Sequence, residues 1–234
     1  MNCAALTLPV LADRVASEAY TGIVEPMESV ESKADEDIDL MRRYAGGDVS
    51  AFEHLYQRNK GPLFRYLLRH ARSREIAEDL FQEVWSRVIA SRARYAPLAR
   101  FSTFLFSIAH NCFIDHCRRS AHAPTARADA LENHEWSLAD SAHVSPDRQA
   151  DSQAIAQRMT AALDRLPTEQ REVFVLYEES GLSLREIGEL TGVGMETAKS
   201  RLRYALAKLR QSLSAERESL PAREALSQVE VESR

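Results

Sequence analysis

Cysteine is scarce in this chain: there are three in 234 residues and none in a C-x-x-C spacing. That argues against a disulfide framework and against a zinc ribbon. Long apolar runs are missing as well. The greasy stretch Phe104–Ala109 is broken by Ser107, far short of the roughly 18–20 apolar residues that a membrane span needs. Cys3–Ala12 is mildly apolar, but no Lys or Arg precedes it and Thr7 and Pro9 interrupt it, so no signal peptide is expected. There is no Gly-rich phosphate loop, no His-rich metal spacing, and no Ser/His/Asp or Cys/His set on a plausible scaffold. An enzyme is not expected, nor a cofactor.

What is present is charge, unevenly placed. The formal total is −5, yet it divides into blocks of opposite sign. Residues 1–37 carry −6, 38–120 carry +6, 121–154 carry −4, 155–213 carry +1 and 214–234 carry −2. Within the fourth block, Thr197–Arg210 holds Lys199, Arg201, Arg203, Lys208 and Arg210 with no acid. An acidic total therefore does not exclude nucleic acid as a partner. The acidic N-terminus, 1–37, reads as a disordered tail. The Ala-, Ser-, Asp- and Pro-rich segment 121–154 shows no sustained helical stripe and reads as a linker between two modules.

In the first module, 38–120, apolar residues recur at three and four, and no segment alternates with a period of two. Phe52, Leu55 and Tyr56 start one helix, with Ser50 and Glu53 as a capping box. Leu63, Phe64, Leu67 and Leu68 mark a second, opening at Pro62. Ile76, Leu80, Val84 and Val88 form a third stripe, widened by Phe81, Trp85 and Ile89, with Ser73 as N-cap. Phe101, Leu105, Ile108 and Cys112 make the fourth. The expected fold is an all-α bundle of four helices.

Two polar features of this module invite interpretation. Asp79, Gln82, Glu83 and Ser86 fall at i, i+3, i+4 and i+7, on one side of the third helix. Physics alone allows a solvated face whose early acids suit the helix N-terminus, or a docking surface. The fourth helix carries His110, Asn111, Asp115, His116, Arg118 and Arg119, and the loop before it holds Arg92, Arg94, Tyr95 and Arg100. Cations interleaved with aromatic rings are what a single-strand site requires, charges for phosphates and ring faces for unstacked bases. Phe101 and Phe104 are expected in the core, and Tyr95 in the site. A metal site from His110, Cys112, His116 and Cys117 fails on its i, i+2 spacing, which points its members to different faces.

The second module, 155–213, has sharper local signals. Pro167–Thr168–Glu169 opens a helix containing Val173, Phe174 and Tyr177, and Gly181 closes it. Ser183 to Glu186 is a capping box, with Leu182 and Ile187 placed as a hydrophobic staple. That helix stops at Gly192. Val193 is the expected buried anchor of the turn, and a further helix begins near Met195 with Ala198, Leu202, Ala205 and Leu209 on one stripe. A short helix, a glycine turn and a basic second helix define a helix-turn-helix, whose second helix enters a major groove. Lys199 and Ser200 can donate to bases and Arg203 can fork onto guanine, while Arg201, Lys208 and Arg210 can hold phosphates.

Three stretches resemble bacterial sigma-70-type initiation factors, and more narrowly their extracytoplasmic-function (ECF) group. They are REIAEDLFQEVWSRVI (74–89), FSTFLFSIAHNCFIDHCRR (101–119) and the run 163–213, which includes TAKSRLRYA. The resemblance spans roughly 40–213 and implies two small domains, region 2 at 38–120 and region 4 at 155–213. It implies that Asp79, Gln82 and Glu83 dock on the clamp helices of the largest subunit of core RNA polymerase, with a further contact at the flap region. It implies that Tyr95, Arg100, Asn111, Arg118 and Arg119 serve −10 binding and melting. Arg185, Thr197, Lys199, Ser200, Arg201, Arg203 and Tyr204 would serve the −35 element. Phe104 stands where the family commonly has Trp. Ala198, Arg203 and Tyr204 stand where Val, His and Arg are usual.

Promoter DNA, core polymerase and an anti-sigma factor are the implied partners. The implied location is cytoplasmic, at the nucleoid when active and at the inner membrane when an anti-sigma factor holds it there. A stand-alone helix-turn-helix transcriptional regulator would share the second module without needing the Asp79/Gln82/Glu83 face.

Overall fold

A computed structural model describes residues 15, 28–71, 73–96, 99–122 and 146–232. Among the described residues the regular structure is helical: α1 (Glu28–Ala45), α2 (Val49–Ala71), α3 (Arg74–Ser91), α4 (Phe101–His122), α5 (Pro146–Asp164), α6 (Thr168–Ser180), α7 (Leu184–Thr191) and α8 (Met195–Glu232), with a 3-10 turn at Arg92–Arg94. The fold is all-α, as expected from the 3.6-residue periodicity. Contacts divide the chain into two compact units. One comprises Met1–Gly22, Glu135–Arg171 and Arg201–Arg234, and the other Ile23–His134 and Glu172–Ser200. This division does not follow the two sequence modules, because 172–200 groups with the first of them.

The bundle has four helices, but not the four expected. The helices anticipated at Phe52 and at Pro62 are one, α2, with Pro62 inside it. A proline there removes one helical hydrogen bond and crowds the preceding turn. The buried stripe Ala51, Leu55, Asn59, Leu63, Tyr66 and Leu67 nevertheless runs unbroken past it. Each large apolar member contributes about 1.5–3 kcal/mol on burial, enough in sum to hold both halves on one axis. The start of α2 is also different. Asp48, not Ser50, caps it: Oδ1 accepts from the Ser50 N–H at 3.0 Å, the Ser50 hydroxyl at 2.6 Å and the Ala51 N–H at 3.3 Å. Gly47, at φ 104°, turns the chain into this cap.

The fourth bundle helix is α1, whose Glu28–Asp37 portion lies within the tail expected to be disordered. The acidic composition concealed it. Met41 and Tyr44 are buried on one stripe with Asp37. Glu36 and Asp37 find partners 21 or 22 residues on, with Arg58 Nε 2.9 Å from Asp37, Arg58 Nη1 2.5 Å from Glu36, and the Asn59 amide donating to Asp37 at 3.1 Å. Residues 1–14 and 16–27 of that tail lie outside the described residues. Similarly, α5 begins at Pro146, inside the segment read as linker; proline is well suited to a first helical position. Residues 123–145 are outside the description, and the 214–234 tail is helical to Glu232.

The bundle's interior is aromatic at one end. Tyr44, Phe52, Tyr56, Phe64, Phe81 and Trp85 form a chain of ring contacts with centroids 4.7–6.3 Å apart. Most of these pairs are tilted or edge-on, the arrangement that ring quadrupoles favour. Ala77, Leu80, Val84, Trp85 and Val88 form the buried seam of α3. Ser73 caps α3 as expected, accepting from the Ile76 N–H at 3.5 Å. Ile89 is 44% exposed and so falls outside that seam.

The Asp48 cap has a pH signature. Hydrogen bonds from Ser50, Arg43 and Ala51 hold its carboxyl at about 2, below the ordinary 3.8. A folded value below the unfolded one means that the cap's contribution is complete above pH 3.8 and is lost as pH falls toward about 2. Protection of the Ser50 and Ala51 amides, their exchange measured relative to the intrinsic rate at each pH, should therefore fall across that window. Asp48→Asn should exchange faster already at neutral pH and show a flatter acid profile. Identical profiles for the two proteins would remove Asp48 from the cap.

Candidate nucleic-acid interface

Three surfaces carry the residues singled out from the sequence. The first is the outer side of α3. Because Ala77, Leu80, Val84 and Val88 face inward, Asp79, Gln82 and Ser86 are exposed, with Glu83 half-buried among them. Glu83 is already engaged: Arg87 Nη2 lies 2.5 Å from its Oε1, and Arg119 of α4 lies 3.6 Å from its Oε2. Arg87 also approaches Asp115 at 3.8 Å. The structure thus brings a residue of the expected docking face next to a residue of the expected −10 set.

The second surface follows α4. Tyr95 ends the 3-10 turn, half-buried, with its ring edge-on to Phe104 at 5.3 Å and its hydroxyl buried without a hydrogen-bond partner. Burial pushes that phenol above its ordinary 10.0. Phe101 is fully buried, whereas Phe104 is half-buried, 6.1 Å from it. Arg100, also half-buried, has its Nη1 unpartnered. Asn111, Arg118 and Arg119 are exposed. Arg118 lies 3.8 Å from Asp115, and Arg119 donates through Nε to the Asp115 carbonyl at 3.3 Å. Phe101 and Arg118 are some 25 Å apart along a helix rising 1.5 Å per residue. Tyr95 and Arg100 therefore occupy one end of a long track and the arginine pair the other.

The third surface is the helix-turn-helix. Gly181, at φ 64°, ends α6. Ser183 and Glu186 form the reciprocal capping box at the start of α7, and Gly192, at φ 71°, closes it in the left-handed conformation. Leu182 and Ile187, the expected staple, are both buried. The Val193 N–H donates to the Gly188 carbonyl at 2.8 Å, which folds the turn tightly over α7. Val193 itself is only half-buried, not the fully buried anchor expected; the turn is held by its backbone instead.

Ala198, Leu202, Ala205 and Leu209 are fully buried along α8. Thr197, Lys199, Arg203 and Tyr204 are consequently exposed, and Ser200 and Arg201 are half-buried. The Arg203 guanidinium lies 5.3 Å from the Tyr204 ring centroid. On α7, Arg185 is exposed, 3.4 Å from Glu189.

Some polar pairings escaped the sequence reading. Arg65 Nε is 2.8 Å from Glu179 and Arg69 Nη1 is 2.5 Å from its other oxygen, in a cluster with almost no solvent exposure. His110 Nδ1 lies 2.8 Å from Glu172. The Thr103 hydroxyl donates to Glu186 at 2.7 Å. Burial alone would raise the Glu186 carboxyl, yet its bonds from Thr103 and Ser183 and the charge of Arg100 leave it below the ordinary 4.5. The one signal available was a pair of arginines four apart, Arg65 and Arg69, among the apolar residues of α2. Among the described residues no three His, Cys, Asp or Glu side chains converge as a metal site, and no helix is long and apolar enough to cross a membrane.

Comparison with known proteins adds to this geometry. The family model described as Sigma-70 region 2 matches residues 55–123, and Sigma-70, region 4 matches 162–211. The chain is 35% identical to RNA polymerase sigma factor CarQ of Myxococcus xanthus over 173 residues, covering 74% of this chain and 95% of that protein. It is 29% identical to ECF RNA polymerase sigma factor SigM of Mycobacterium tuberculosis, over 76% of this chain and 84% of the relative. Among solved structures, CnrH in complex with the cytosolic domain of CnrY aligns with a TM-score of 0.55 at 22% identity, over 77% of this chain and 98% of that one. The sigma factor RpoE in complex with the anti-sigma factor NepR, from Bartonella quintana, aligns with a TM-score of 0.58 at 22% identity, over 71% and 98%. At that identity the structural likeness concerns the fold.

Proposed function

This chain belongs to the sigma-70 family of RNA polymerase sigma factors, in its extracytoplasmic-function group, and on that premise we propose how its surfaces divide the work of starting transcription. It is an alternative sigma factor, a subunit of transcription initiation. Residues 38–120 act as the core-binding and −10 module, and 155–213 as the −35 module. Asp79, Gln82 and Glu83 dock on the clamp helices of the polymerase's largest subunit, and the second module meets the flap region. Tyr95, Arg100, Asn111, Arg118 and Arg119 take the opened −10 strand. Arg185, Thr197, Lys199, Ser200, Arg201, Arg203 and Tyr204 read the −35 duplex. No residue has a catalytic role, and the chain works in the cytoplasm.

The observation that supports this reading most is positional. Two independent family matches occur in order on one chain, and Asp79, Gln82, Asn111, Lys199 and Arg203 are all exposed rather than absorbed into a core. Unpairing bases at the −10 element costs a few kcal/mol, which captured single-strand bases help to offset. Tethering two DNA-binding modules raises each one's effective concentration at the promoter. Of the two proteins of similar fold, CnrH was solved with the cytosolic domain of CnrY and the sigma factor RpoE with the anti-sigma factor NepR. By analogy, an anti-sigma partner that covers this chain's DNA- and polymerase-facing surfaces is proposed.

Run-off transcription with purified core polymerase on genomic fragments tests the reading. New start sites sharing spaced −35 and −10 elements are expected. A chain that binds DNA without redirecting core polymerase would be a stand-alone regulator instead. A narrower test concerns Arg203. Arg203→Ala should cost about 1–3 kcal/mol of −35 affinity and relax preference at one base pair. A uniform loss over all sequences would reassign it to a phosphate.

A further inference from the structure

Arg210 closes the basic run of α8, and a phosphate is the partner its sequence position implies. The structure gives it another. Its Nε donates at 3.0 Å to the carbonyl of Val15, a residue 195 positions away, and its Nη2 is buried without a hydrogen-bond partner. Val15 is itself helical and wholly buried. Both residues fall in the unit that joins Met1–Gly22 to Glu135–Arg171 and Arg201–Arg234.

A valine on an isolated helix keeps part of its side chain in water, whereas a fully buried one is ringed by other residues. Complete burial of Val15 therefore requires a second surface, and the Arg210 bond says which. Leu206, Leu209 and Leu213 are buried along α8, and Arg210, four residues after Leu206, stands at one edge of their stripe. An arginine at such an edge ordinarily lays its stem on the apolar surface and keeps its head in water. This one is half-buried, with its guanidinium turned onto a main-chain carbonyl, as it must be when another segment lies across it. The opposite edge is already taken, since the Ser212 hydroxyl accepts from Arg165 beyond α5 at 3.2 Å. The sequence around Val15 suits the remaining seat. Leu8, Leu11, Val15 and Ala19 recur at three and four, with Pro9 placed for a first turn and Gly22 for a stop.

We infer that residues 8–20 are a built-in partner of α8, an amphipathic helix that seats its Leu8, Leu11, Val15 and Ala19 stripe on the 206–213 face and is anchored through its main chain by Arg210. The segment precedes both matched regions, 55–123 and 162–211, so it adds to the second module a piece that neither region contains. Arg210 is then a docking residue and not a phosphate contact. That last assignment rests on the −35 reading; the docking does not.

The test uses the full-length chain. Amide hydrogen exchange is followed in 206–213 and 10–19, with α3, which belongs to the other unit, as reference. Val15→Lys puts a cation into a buried seat beside Arg210 and should speed exchange in both segments about tenfold while leaving α3 unchanged. Arg210→Gln, which removes the anchor and keeps the stripe, should act the same way but less. Ser17→Lys makes the same charge change on the far side of the helical repeat and should shift neither segment. In parallel, binding of a promoter duplex mapped by run-off transcription is measured against salt. Arg201→Gln should lower the slope of log affinity against log salt by about 0.9, the value of one phosphate, and Arg210→Gln should keep the wild-type slope.

Unchanged exchange in 206–213 for both Val15→Lys and Arg210→Gln overturns the docking. Equal acceleration by Ser17→Lys, or in α3, overturns it too, because the seat would not be one-sided or not confined to this unit. A slope lowered by Arg210→Gln as far as by Arg201→Gln returns Arg210 to a phosphate. If the wild-type chain directs no start sites and binds no duplex, the −35 reading falls while the exchange result still decides the docking.

Discussion

Asp79→Lys combined with Glu83→Lys is expected to abolish assembly with core polymerase, a loss of at least a hundredfold in affinity, while the same protein still binds a −35 duplex. Both side chains stand opposite the buried seam of α3, so the change alters the surface and leaves the core intact. Glu83 does lose its pairings with Arg87 and Arg119. Those pairs are partly exposed and contribute about 0.2–1 kcal/mol each, against a total stability of order 5–15 kcal/mol. Like charges brought together across an interface cost several kcal/mol, which dominates. Asp79→Lys alone is the cleaner probe, because Glu83 keeps its partners. Co-elution of the double variant with core polymerase at wild-type affinity would remove α3 from the docking surface. Loss of −35 binding as well would indicate a folding defect instead.

The second large effect is expected at Gly188. A Cβ built there falls 2.8 Å from the Val193 carbonyl oxygen, 3.3 Å from the Met195 nitrogen and 3.4 Å from the Gly194 carbonyl carbon. All three obstacles are backbone, so no rotamer change relieves them. The turn between α7 and α8 would have to open, and with it the Val193 N–H bond to Gly188. Gly188→Val should cost about 2–3 kcal/mol of stability and reduce −35 binding at least tenfold. Gly192→Ala should cost about 1–2 kcal/mol, since a left-handed φ of 71° disfavours any side chain. Gly194→Ala meets nothing within 4 Å and should stay within about 0.5 kcal/mol of wild type. Thermal unfolding should rank them in that order. A Gly188→Val protein as stable as Gly194→Ala would show that the turn is not closely packed.

Some of this was legible in the chain and some was not, and the division has a cause. Local signals carried well. The Ser183–Glu186 capping box, the glycine stops at 181 and 192, and the Ala198–Leu209 stripe all depend on neighbours within a turn or two, and all appear where they were read. Pro62 misled because a rule about isolated helices was applied where a continuous buried stripe on both sides overrides it. Ser50 misled because Asp48, two residues earlier, offers a carboxylate that accepts three bonds at once. The segment before residue 38 misled through composition: its acids look like a solvated tail until Arg58 and Asn59 are brought against them.

The candidate surfaces divide in the same way. Helical spacing was sufficient to put Asp79, Gln82 and Glu83 on one side of α3 and to expose Lys199 and Arg203 on α8. It could not show that Glu83 would be held by Arg119, or that Tyr95 would lean on Phe104.

The amino-acid order by itself determined the helical class, the two kinds of module, the family and the helix-turn-helix, because each is encoded in repeats and caps a few residues long. Only tertiary packing decided which helices complete the bundle and that Glu172, Glu179 and Glu186 face His110, Arg65, Arg69 and Thr103. Those pairings join residues 62 to 114 positions apart, and no local pattern records a partner at that distance.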